Sequence, residues 1–232
     1  MIGRSQSSIC VVALAVSAAC AQSTAPSPLS PAVDVLTYLV GDASTWPRGG
    51  SHAQNQIVDL SRREVCWVKY GNPRRFECWR WDDQYVYHEV DHALDGDSNE
   101  SYMFTDGRWI ARFIPVDATP ALPWSLDVPG NLMVWFDAAC HVDPSKSHAF
   151  PYRQRAWFEK QRDAGGTLGR RDTLVLEYQP YDAAGGLGAA EDYYFGLAVG
   201  WYEWERSGFQ DFFNRTPGFN TLMDASVWCQ AP

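Results

Sequence analysis

From about Gln56 onward the chain is a run of short segments in which apolar and aromatic residues alternate with polar ones. That period-two rhythm sends successive side chains to opposite faces of a pleated strand. Candidate strands fall at 64–70, 75–81, 85–91, 101–105, 108–116, 131–140, 153–161, 173–178, 191–197 and 199–206. The breaks between them carry turn chemistry: Gly71-Asn72-Pro73, Asp82-Asp83, Asp106-Gly107, Gly165-Gly166 and Gly185-Gly186. Short strands at this spacing, with no long helical stretch between them, predict an all-β fold, an antiparallel β-sandwich or β-barrel. One short N-terminal helix is expected before them. Ser30 reads as its N-cap, Pro31 as its first residue, Val33, Leu36, Tyr38 and Leu39 as its apolar stripe, and Gly41 as its end.

The 232 residues, 46% hydrophobic and 20% charged, suit a single folded domain, taken as 30–232. Residues 22–29 read as a Ser/Pro/Ala linker, and 1–21 as a signal peptide. Arg4 supplies the positive region of that signal, and the apolar run at 9–16 is too short for a permanent membrane span. Ala19-Cys20-Ala21 fits cleavage before Gln22, while Ser17-Ala18-Ala19-Cys20 resembles a bacterial lipobox with Ser where Leu is usual. The expected location is therefore secreted or periplasmic, the alternative being a lipid anchor at Cys20 that holds the chain at the cell envelope.

Either route leaves Cys66, Cys78, Cys140 and Cys229, an even number that predicts two disulfides in an exported chain. Cys66 and Cys78 lie symmetrically about Asn72, so a hairpin turning at Gly71-Asn72-Pro73 sets them opposite each other at bonding distance. Cys140 then pairs with Cys229. A four-cysteine zinc site is the alternative, disfavoured by the lack of any C-x-x-C pair.

A net charge of −9 argues against nucleic-acid partners and leaves neutral or cationic ligands open. The 11 tryptophans exceed ordinary usage, so some are expected on a binding surface although most should pack the core. Alternation puts Trp201, Glu203 and Glu205 on one face of a strand, with Tyr202 and Trp204 on the other. Two carboxylates beside an indole suit sugar chemistry, in which the ring stacks on a pyranose and the acids serve as proton donor and nucleophile or base. Arg153, Arg155 and Trp157 form a second candidate face, able to grip a carboxylate or to neutralise acids across the sheet. The leading expectation is an exported protein that binds or cleaves a carbohydrate-like extracellular ligand, without a cofactor. A non-catalytic envelope or surface protein holding a hydrophobic ligand or a protein partner is an alternative.

His88-Glu89-Val90-Asp91-His92 matches H-E-x-x-H. On a helix, His88 and His92 would share a zinc with Glu89 as base, which is the zinc-dependent hydrolase alternative. On a strand the same two positions stand about 13 Å apart, too far for one metal. The β character of residues 85–90 favours the strand. The segment resembles the H-E-x-D-H stretch of peptide deformylases, with Leu94 and Gly96 following. That resemblance implies zinc held by the histidines. Pro151-Tyr152-Arg153-Gln154-Arg155 resembles a segment of the CpeT-type phycobiliprotein lyases, with an echo at Leu39-Val40-Gly41, and implies a β-barrel. Neither family's remaining motifs occur in the chain, so no family assignment follows. No nucleophile elbow, P-loop or dinucleotide fingerprint is present.

Overall fold

A computed structural model of the protein describes residues 31–41, 52–69, 75–94, 99–137, 139 and 141–215. The signal-peptide, linker and Cys20-anchor readings and the Cys140–Cys229 pairing lie outside those residues. Strands dominate. In order they are β1 (Ala32–Asp34), β2 (His52–Asp59), β3 (Glu64–Lys69), β4 (Arg75–Trp81), β5 (Tyr85–Leu94), β6 (Asn99–Phe104), β7 (Arg108–Ala111) and β8 (Phe113–Pro115). They continue as β9 (Trp124–Val128), β10 (Leu132–Phe136), β11 (His148–Ala149), β12 (Tyr152–Asp163), β13 (Arg170–Pro180), β14 (Glu191–Gly196), β15 (Gly200–Arg206) and β16 (Phe209–Arg215). The helix α1 is Leu36–Leu39.

Two antiparallel meanders make up the main sheet. In one, β2 to β6 pair in chain order and β10 and β11 extend them; in the other, β9 and β12 to β16 pair in order. The halves meet where β16 runs parallel to β2, with Phe213 beside His52 and Arg215 beside Gln54. Far from that seam, β7 pairs with β5, and the Tyr152 hydroxyl of β12 lies 2.8 Å from the Asp106 carbonyl and 2.9 Å from that of Arg108. Between the meanders sits an aromatic core. Trp67 and Trp79 are fully buried there, with ring centroids 6.1 Å and 5.3 Å from that of Phe195, and Trp201 packs 4.8 Å from Phe213.

The N-terminal helix is shorter than its sequence pattern suggests, and Pro31 does not begin it. Residues 32–34 instead pair with β8, and the Asp34 carboxylate accepts the Leu36 N–H at 3.1 Å to start a single turn. That turn ends at Leu39, with Val40 already extended; Gly41 follows it, where a Cβ would collide with the Val199 carbonyl. Two predicted strands also change. The stretch 108–116 breaks at Arg112 into β7 and β8, and 131–140 ends at Phe136.

Cys66 and Cys78 are directly paired across β3 and β4, 4.1 Å apart at Cα, and form the disulfide expected there. The bond is buried in a small cluster with Val68, Phe76 and Val90, separate from the main core. It is consistent with an oxidising compartment. No described helix is long and apolar enough to cross a membrane. Replacing both cysteines by alanine should cost about 3 kcal/mol for a loop of this length, measured by chemical denaturation of the oxidised wild type against the variant.

Candidate functional site

Tyr85–Leu94 is a strand, as its β character predicts. A bulge interrupts it: Cys78 faces Val90 but Trp79 faces His88, which leaves Glu89 as the extra residue. One inserted residue exchanges the two faces of everything beyond it. His88 therefore lies with Glu77 and Trp79, while the His92 ring stacks on Phe76 at 4.8 Å and its Nδ1 sits 2.7 Å from Ser101 Oγ. The imidazoles that H-E-x-x-H would bring to one zinc are on opposite sides of the sheet. Among the described residues no group of three or more His, Cys, Asp or Glu is placed to hold a metal.

His88 belongs to a buried ionic network spanning β3 to β6. The Glu77 carboxylate lies 3.0 Å from His88 Nε2 and 3.3 Å from Lys69 Nζ, and it accepts the Trp79 indole N–H at 3.0 Å. Lys69 also reaches Asp91 at 3.1 Å, and Asp91 accepts the Tyr102 hydroxyl at 3.2 Å. Burial alone would keep Glu77 protonated. Lys69, His88 and the Trp79 N–H outweigh that penalty and lower its pKa to about 2.

Beside this network is a cavity of about 370 Å³, within the size range of small-molecule sites. Its wall is aromatic: Tyr102 and Phe104 from β6, Trp109 from β7, Trp135 from β10, Tyr178 from β13 and Tyr193 from β14. His88 also lines it, its ring stacked on Trp109 at 4.8 Å. Glu191 and the half-exposed Arg206 line it as well, paired at 3.2 Å. Glu191 Oε2 further accepts Trp204 Nε1 at 3.3 Å and the Tyr193 hydroxyl at 3.4 Å. Burial raises the Glu191 pKa despite Arg206.

Four buried polar atoms on lining side chains have no hydrogen-bond partner: His88 Nδ1, Trp109 Nε1, Trp135 Nε1 and the Tyr178 hydroxyl. Among the described residues, eight further buried side-chain polar atoms without a partner lie on residues away from the cavity, among them Trp67 Nε1 and both polar atoms of Gln54 and Gln154.

The residues singled out in the sequence are placed elsewhere. A second bulge, at Tyr202, sets Trp201 opposite Phe195 but Glu203 opposite Tyr194. Trp201 therefore packs in the core, its ring 6.0 Å from Trp67, while Glu203 is buried with Arg162 at 3.4 Å. Glu205 accepts the Tyr194 hydroxyl at 3.3 Å, and the expected common face of Trp201, Glu203 and Glu205 does not form. Arg153 pairs with Asp127 at 2.8 Å and Arg155 with Glu177 at 2.8 Å, each with an acid directly across the sheet. The guanidinium of Arg155 stands over Trp157 at 5.8 Å.

Glu177, Asp192 and Glu205 form a cross-strand row. Burial, then the charges of Glu177 and Glu205, raise the Asp192 pKa to about 6. On β3, burial raises the Glu64 pKa to about 7; Arg62 opposes the rise, and the neighbouring Glu89 adds to it. A carboxyl whose folded pKa is raised stabilises the fold while protonated and loses that contribution as pH climbs through the folded value. Glu64→Gln should therefore gain melting temperature relative to wild type on going from below pH 4.5 to above pH 7, measured by calorimetry across that window.

Compared with known proteins, the chain significantly matches no family model, no curated protein and no solved structure.

Proposed function

We propose that this chain is a binding protein whose sheet closes as a barrel around the aromatic cavity and holds a small, flat, largely apolar molecule carrying a few polar atoms. One observation carries the reading: a cavity of about 370 Å³ walled by aromatic side chains from several strands, which Glu191 and Arg206 also line. Closure as a barrel is supported by the two β12–β7 contacts of Tyr152. Export is supported by the buried disulfide.

The neutral dye N-phenyl-1-naphthylamine, whose emission rises in apolar surroundings, tests this. The wild type should bind it, and Met133→Trp, which fills the cavity from β10, should abolish the signal while near-ultraviolet circular dichroism reports an intact fold. Glu203→Gln with Glu205→Gln should leave dye binding unchanged. Equal binding by the filled variant would place the site elsewhere. Glycan turnover lost in the double glutamine variant would restore the carbohydrate reading at Glu203 and Glu205.

A further inference from the structure

The following rests on the cavity being the binding site. We infer that its ligand carries a cationic nitrogen, an alkylated ammonium, seated against the aromatic wall with Glu191 as counter-ion. The wall supplies the first argument. Trp109, Trp135, Tyr102, Tyr178 and Tyr193 line one enclosure, and the negative faces of such rings attract cations most strongly where water is excluded. One of these rings already takes a cation from the chain itself, for Lys146 Nζ stands 5.7 Å from the Trp135 centroid.

Charge supplies the second. Glu191 is largely buried, and its only ion-pair partner among the described residues, Arg206, is half exposed. Burial still raises the Glu191 pKa, so this carboxylate gains from a closer cation. The tyrosines report the same field. Burial raises Tyr102 and Tyr193 well above the ordinary phenol range, and the charges on Asp91, Glu77 and Glu191 add to it; Glu191 does the same to Tyr178, with Arg206 opposing. An anion entering this space would meet that field unfavourably. A protein of net charge −9 also concentrates cations at its surface.

Competition against the bound neutral dye tests this with choline and its uncharged carbon isostere, 3,3-dimethyl-1-butanol. Choline should displace the dye at a concentration about tenfold lower than the alcohol. Glu191→Gln should remove that preference and leave displacement by the alcohol unchanged. Arg206→Gln, which deletes the rival cation, should tighten choline. Equal displacement by the two compounds, or weaker choline binding in Arg206→Gln, overturns the cationic assignment while the dye signal keeps the cavity as the site. No dye binding at all overturns both readings. Phosphatidylcholine vesicles present the same ammonium, and displacement by vesicles at lower total headgroup than free choline would replace the free ligand with a membrane one.

Discussion

Glu77→Ala is expected to lower folding stability by about 3 kcal/mol, read as a fall in the urea midpoint at an unchanged slope. Removing one member of a buried ion pair strands its partners in a dry environment. Here Lys69 still reaches Asp91, while His88 Nε2 and the Trp79 N–H lose the Glu77 acceptor. The low end of the usual range applies because Lys69 retains some exposure, 14% for its side chain. Replacing Glu77 and Lys69 together by leucine should recover only part of the loss, since Asp91 then keeps the Tyr102 hydroxyl but loses its cation. The pH dependence fixes the sign independently. With its pKa lowered from 4.5 to about 2, Glu77 contributes stability that is present at neutral pH and lost as pH falls from about 4.5 towards 2. Glu77→Ala should show a shallower acid limb than wild type.

Trp79→Ala should cost about 3–5 kcal/mol, the usual loss for a large ring removed from a close-packed interior. Trp79 is fully buried, and its ring meets Trp67, Trp109, Tyr193 and Phe195 at centroid distances of 6.4, 5.8, 6.2 and 5.3 Å. Trp79→Phe isolates the polar share, since it keeps most of the packing but deletes the donor to Glu77; a hydrogen bond to a charged acceptor is worth about 1.5–3 kcal/mol. Because Trp79 and Glu77 share that bond, the loss in the Trp79→Ala, Glu77→Ala double variant should fall short of the sum of the single losses. Equilibrium unfolding of the four proteins gives the coupling directly.

The strands were legible where β-branched and aromatic residues fill short runs between turn signals. β3 and β4 read this way although nearly every residue of both is buried, and the Cys66–Cys78 pairing follows from their symmetry about Asn72. β2 was not, because its Gln54, Asn55 and Gln56 give no apolar rhythm even though Gln54 and Asn55 are buried. The site failed to emerge for a different reason. A bulge shifts the period-two phase by one, and no residue type marks it, so the common face expected for Trp201 and Glu203 was split by an unseen insertion at Tyr202, and another at Glu89 sets His88 and His92 on opposite sides. The cavity is assembled from many strands, and each contributes an aromatic residue that in one dimension reads as ordinary core. Glu191 opens one of the candidate strands and Arg206 ends the next, but only the fold places the pair at the cavity.

The parallel seam between β2 and β16 has a kinetic meaning. It joins segments separated by most of the described chain, so the loop it closes is among the longest available and its entropy must be lost before the contact stabilises anything. During synthesis, the outer edge of β2 has no partner until the ribosome has delivered β16, an interval on the order of ten seconds. For that time the nascent protein carries an open strand edge able to recruit a neighbouring chain, which makes completion of this seam the step most exposed to aggregation.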